Sequence, residues 1–299
     1  MSRRSIVTAL VVGTLTLMTL AGLVLAVSMA TGSSASFALG GRIAVLEVDG
    51  VIADDEQFLE DVRRLEDDGS IQGWVLDVNS PGGAVAPSQS MYQRIRQLRE
   101  ADDRPVVASI GSVGASGGYY VALAADSILA LPGSITGSIG VIMEYPNVSE
   151  LMDRVGVSME VVKSGEQKDM GSPFRDMDAG DREVLLAMVE DVHAQFVEVV
   201  ARERGFSTEE ARALADGRIF SGRQALELGL IDGMGNLEAA IDMAGRMAGL
   251  GTDPRVVRPP RPRDGLLSEL ILGRSAAKAI RRLTDPVAGA VPALKFIVH

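Results

Sequence analysis

Ser116 lies in the stretch GASGGYY (114–120), directly after the apolar run PVVASIG. A small nucleophile at the end of a buried strand, flanked by glycines, can present its hydroxyl at a sharp turn. The glycines permit both the turn and the close approach of a substrate. A serine hydroxyl is a weak nucleophile until a base takes its proton. The sequence offers few bases. Histidine occurs only at His193 and His299. His193 falls beside the apolar face of a helical stretch, where a structural role is the ordinary one, and His299 is the last residue, where chains are usually mobile. Arginine stays protonated and cannot serve. Lysine can, once burial lowers its pKa; from about 10.4 in water it needs lowering by roughly three units to work near neutral pH. Lysine occurs only at Lys163, Lys168, Lys278 and Lys295. The last two lie beyond a proline-rich stretch, so Lys163 and Lys168 both stand as candidate partners of Ser116.

A second candidate element is the loop Asn79-Ser80-Pro81-Gly82-Gly83, at the C-terminal end of an apolar strand. Parallel α/β sheets place their ligands at that end. Two glycines there can turn backbone N–H groups toward a developing oxyanion, although the same residues also suit a plain strand-to-helix turn.

The elements that must hold these residues alternate. RIAVLEV (42–48), GWVLDV (73–78), 105–110, 127–131 and 157–162 read as strands. Phe58, Val62 and Leu65 share one helical face, and 88–99 and the segment YYVALAA after Ser116 read as helices. Residues 181–204 form a long amphipathic helix with Leu185, Val189, Val192, Phe196 and Val199 on its buried side, followed by helices at 209–215, 223–228 and 237–248. Strands alternating with helices imply parallel βαβ units and an α/β fold, and continuous apolar strands imply a sheet covered on both faces.

The chain has 299 residues, 46% of them hydrophobic, enough for one large core. Its net charge of −11 argues against nucleic acid as a partner. The absence of cysteine excludes disulfides and thiolate metal sites, and no residue set calls for a metal or cofactor. At the N-terminus a short n-region (1–5) with Arg3 and Arg4 precedes an uncharged, mostly apolar run (6–30). Ser28-Met29-Ala30 offers a small-residue cleavage site, but a cleaved signal has an apolar core of only about 7–15 residues, whereas this run is long enough to span a bilayer. It reads as a signal anchor that keeps the N-terminus cytoplasmic and exports the rest. A Ser/Ala/Gly-rich linker (31–41) leads to the main domain (42–249). A Pro/Arg-rich linker (250–264), carrying RPPRPR, follows, then a basic amphipathic helix and tail (265–299).

Taken in order, DVNSPGG, GASGGYY, TGSIGVI, KSGEQKDMGSPFR and GRIFSGRQALELGLIDGMG resemble the signal peptide peptidase A family, over about residues 42–249. The resemblance is to its short, single-length form. It implies a crotonase/Clp-protease-like fold and a membrane-anchored serine protease with a Ser-Lys dyad. Position by position, it makes Ser116 the nucleophile and Lys168 the general base, and leaves Lys163 without that role. It makes the backbone of Gly83 and Gly117 the oxyanion donors, and Ser138 in TGSIG a serine that orients the lysine. It also implies cleaved signal peptides or other extracytoplasmic peptides as substrates, and a homo-oligomeric ring at the cell membrane with the sites inside. Where subunits complete each other's sites, Ser116 and Lys168 need not meet within one chain. Two other readings stand beside this one: a crotonase-like acyl-CoA enzyme of the same fold, which would use the same oxyanion donors on a thioester but lack the nucleophilic serine and the export anchor, and a non-catalytic membrane scaffold with a protease fold.

Overall fold

The structure, a computed structural model, describes residues 40–101, 103–260 and the backbone of 295–297. The n-region, the anchor at 6–30, nearly all of the first linker and most of the C-terminal tail lie outside these residues. Among the described residues no helix is long and apolar enough to cross a membrane.

The framework is one mixed sheet. Strand β1 is Arg42–Ile52, β2 Ile71–Ala84, β3 Val106–Ala115, β4 Ser127–Ala130, β5 Ile135–Gly137, β6 Ile219–Ser221, β7 Gly233–Met234, β8 Arg255–Val257 and β9 Lys295–Ile297. The main order is β6-β5-β3-β2-β1-β8, with β4 pairing β3 and β7, and β9 pairing β2. All pairs are parallel except β5–β6 and β2–β9. The helices are α1 Glu56–Glu66, α2 Val85–Ala101, α3 Gly117–Ala122, α4 Ser149–Val155, α5 Ala179–Arg204, α6 Thr208–Ala213, α7 Gly222–Glu227 and α8 Leu237–Met247.

The strand residues show why both faces are covered. Ala44, Leu46 and Val48 alternate with Ile43 and Val45 along β1, and all are buried. The first set joins the core with Phe58, Val62 and Leu65 of α1, Ile95 of α2 and Phe196 of α5. The second joins Val75, Val107 and Leu129 under Ala240 and Ala244 of α8. Small residues on α8 let it lie close to the sheet. Helix α5 starts at a capping box in which Asp178 accepts from the Asp181 N–H, and it ends at Gly205 in the left-handed region.

Two expectations are corrected. Asn79–Gly83 is not a loop: β2 runs on through it to Ala84, because Val51 and Ile52 pair with Gly82 and Gly83 past a register shift in β1. Residues 157–162 are not a strand. Among the described residues no strand neighbours them, and Val157, Met159, Val161 and Val162 are exposed. A ladder needs a partner, and apolar alternation alone does not supply one.

Candidate active site

Strands β2 and β3 run in register from Trp74–Val106 to Val78–Ile110, then shift and separate after Ser80–Gly114. Ser116, Gly83 and Gly117 lie where these strands part, at their C-terminal ends, the usual ligand position in such a sheet.

Ser116 follows the last residue of β3 and caps α3, with φ 52° and ψ −118°. A non-glycine residue in that region costs about 1–3 kcal/mol, and such strain gathers at functional sites. The turn is held from several sides. The Ser116 N–H donates to Gly137 O (2.8 Å), and the Tyr120 N–H donates to Ser116 O (2.8 Å). Every residue of α3 is buried. Tyr119 donates its hydroxyl proton to Leu230 O at 2.7 Å. The Tyr120 ring packs edge-on against Tyr92 of α2 and Phe196 of α5, with centroids at 5.2 and 4.9 Å. Burial pushes the Tyr120 phenol up to about 12, so it stays neutral. Within this frame Ser116 is fully buried, and its Oγ has no hydrogen-bond partner among the described residues.

The glycines bring the second element to it. A side-chain carbon on Gly117 would fall 2.6 Å from Ser88 Oγ and 3.2 Å from the Gly83 backbone nitrogen. The same carbon on Gly83 would fall 2.1 Å from Ile52 O. Only glycine fits at either place, and their backbones therefore lie side by side beside Ser116. Ser80, quoted in the sequence only as part of a turn, shapes this edge. It is buried, donates to Gly50 O (2.6 Å) and accepts from the Gly82 N–H (3.1 Å). Its signal was its place before Pro81, where a hydroxyl can bond the backbone two residues on.

Ser138 is buried, at φ 50°, one residue after the Gly137 carbonyl that holds Ser116. His193 lines a cavity with Ser138, and its Nε2 lies 2.7 Å from Ala215 O. That nitrogen therefore donates to a carbonyl and is not free to accept a proton from serine.

The two lysines are placed differently. Lys163 Nζ donates to Glu166 O (2.6 Å) and to Asp169 Oδ1 (2.8 Å), which also accepts from Arg175 (2.9 Å). Arg175 bridges on to the buried carboxylate of Asp181. The guanidinium of Arg175 and then the ammonium of Lys163 hold the Asp169 carboxyl well below the ordinary range. Lys163 is thus tied into a structural network. Lys168 lies in the 3-10 turn Glu166–Asp169, exposed, and its side chain makes no hydrogen bond or ion pair with any described residue. Ser116 Oγ has no hydrogen-bond partner among the described residues, so no hydrogen bond joins it to Lys168 within the chain.

An α/β protein whose sheet crevice sets a buried serine at a strained turn beside two glycine backbones has the parts for hydrolysis by acyl transfer. The comparison with known proteins gives the family. The model of peptidase family S49 matches residues 99–251. A Synechocystis protein provisionally named a protease is 40% identical over 226 residues, covering 74% of this chain and 80% of its own. An Enterococcus faecium protein provisionally named a signal peptide peptidase is 36% identical, covering 67% of this chain and 62% of its own. Protease 4 of Haemophilus influenzae is 30% identical over 72% of this chain and 36% of its own. The chain belongs to peptidase family S49, and these three relatives carry peptidase names.

Proposed function

We propose that the chain is a membrane-anchored serine endopeptidase that uses Ser116 as nucleophile and Lys168 as general base. The observation that carries this reading is the buried, unpartnered Ser116 Oγ at a strained turn, with the Gly83 and Gly117 backbones beside it. Lys168 takes the Ser116 proton as Oγ attacks a peptide carbonyl. The carbonyl oxygen gathers negative charge and is received by the N–H groups of Gly83 and Gly117. Collapse breaks the C–N bond, and Lys168 returns the proton to the leaving amine. Water, deprotonated in turn by Lys168, then attacks the acyl-enzyme and frees Ser116. Ser138 orients the lysine.

In this reading Lys168 reaches Ser116 from a neighbouring copy. Residues 149–175 support it: α4 has no buried residue, and Leu151, Val155, Val157, Val161, Val162 and Phe174 are exposed. A run of apolar side chains turned to solvent marks a surface that a partner covers, and a cyclic array of copies would cover it while carrying Lys168 to the next site. The substrates are peptides, cleaved signal peptides among them. The anchor read at 6–30 holds the site on the extracytoplasmic side of the membrane. A serine-reactive acylating probe tests the reading. Label should map to Ser116 in the full-length protein and vanish in Ser116→Ala; equal labelling of both proteins would overturn it.

A further inference from the structure

Ser80 sits where three elements of the site meet. It is the last residue of β2 to pair with β3, opposite Gly114, two residues before Ser116. On the other side β2 gains one residue over β1 between the pairs Asp49–Asn79 and Val51–Gly82. Proline has no N–H to give a ladder, and the pairing yields at Ser80-Pro81. One side chain bridges the break. The Ser80 hydroxyl donates to Gly50 O of β1 at 2.6 Å and accepts from the Gly82 N–H at 3.1 Å. A hydroxyl has one proton to give and lone pairs to receive, so it serves both strands at once. On its third side Ser80 meets α3: a side-chain carbon on Gly118 would fall 2.6 Å from Ser80 O and 3.2 Å from Ser80 Cβ. Ser80 therefore touches the residue next to each glycine of the oxyanion pair, Gly82 before Gly83 and Gly118 after Gly117. It is fully buried, so bulk water does not compete for its hydroxyl.

Oxyanion stabilisation depends on donors fixed in place before the charge develops, and a misplacement of about 1 Å can lower a rate by about 100-fold. Gly83 and Gly117 belong to different elements, a strand and a helix, so their spacing has to be held by something that touches both. We propose that Ser80 is the positioning residue that sets the spacing of the Gly83 and Gly117 N–H groups. The proposal rests on the reading of these two backbones as the oxyanion donors of a peptidase, and it adds a residue that acts through its neighbours. Ser88, the buried serine on the other side of Gly117, does not join the two elements in this way. Its hydroxyl donates to Ala84 O at 2.9 Å, four residues back in the chain, so its bond stays local.

The test is turnover of a fluorogenic peptide, with inhibition by a peptide boronic acid, in the full-length wild type, Ser80→Ala and Ser80→Cys. Boron bonded to Ser116 Oγ becomes tetrahedral and sets an oxygen where the oxyanion forms, so its affinity reads the donors. The proposal expects kcat of Ser80→Ala to fall about 10- to 100-fold with KM little changed, and the boronic acid Ki to rise by the same factor as kcat/KM falls. Ser80→Cys keeps the shape of the side chain with a weaker donor and acceptor. It should fall between the other two, and it decides the matter alone if Ser80→Ala does not fold. Wild-type kcat in either folded variant, or a lower kcat with the boronic acid Ki unchanged, would overturn the proposal and leave the peptidase reading intact. If the wild type neither turns over peptide nor takes the acylating label at Ser116, the peptidase reading itself has failed, and this proposal with it.

Discussion

At the site a handful of atoms decides the chemistry, and Gly117 shows how tightly. A side chain there meets Ser88 Oγ at 2.6 Å and the Gly83 nitrogen at 3.2 Å. Gly117→Ala should push the two oxyanion donors apart and lower kcat by about 100- to 1,000-fold, with KM changed far less; steady-state kinetics on folded protein checks it. Much of this was legible in the sequence. Scarcity of histidine and lysine points from Ser116 to Lys163 and Lys168. Between the two, residue types could not choose, because the difference is relational. Asp169 and Glu166 O occupy Lys163, and only a fold reveals that. Ser80 was passed over for the same reason: its bond to Gly50 O joins positions far apart in the chain.

At the level of elements, the helices were the more legible part. The apolar faces of α1 and α5 are periodic, so Phe58, Val62, Leu65, Val192 and Phe196 announce themselves and are buried. Strands depend on neighbours. Asn79–Gly83 carries turn residues, yet pairing with β1 draws it into β2; residues 157–162 carry strand residues, yet pair with nothing among the described residues. The segment bearing both lysines is instead pinned by ions, through Lys163, Asp169, Arg175 and Asp181. Bonds from Arg175 lower the pKa of Asp169 and Asp181 in the folded state. A carboxyl with a depressed folded pKa stabilises the fold above its unfolded value, and the contribution is lost as pH falls through the folded one. Melting temperature should therefore drop on acidification below about pH 4, and Asp169→Asn should melt lower than the wild type at pH 7 but lose less on acidification. Thermal melts of both proteins across that range check this; identical pH profiles would remove the network from the account.

For the whole molecule the account requires more than one copy, since no hydrogen bond joins Ser116 to Lys168 within the chain. Mixing inactive Ser116→Ala and Lys168→Ala subunits should restore about one quarter of wild-type activity, because random assembly in a cyclic array leaves that share of sites with both groups intact. A mixture as inactive as its components would place both groups in one subunit. Beneath that lies the central claim, a Ser-Lys dyad, and turnover of a peptide by the wild type and the two single variants tests it most directly. With folding verified by circular dichroism, the account predicts that Ser116→Ala loses at least ~10,000-fold and Lys168→Ala about 100- to 10,000-fold. Wild-type rates in folded Lys168→Ala would contradict it.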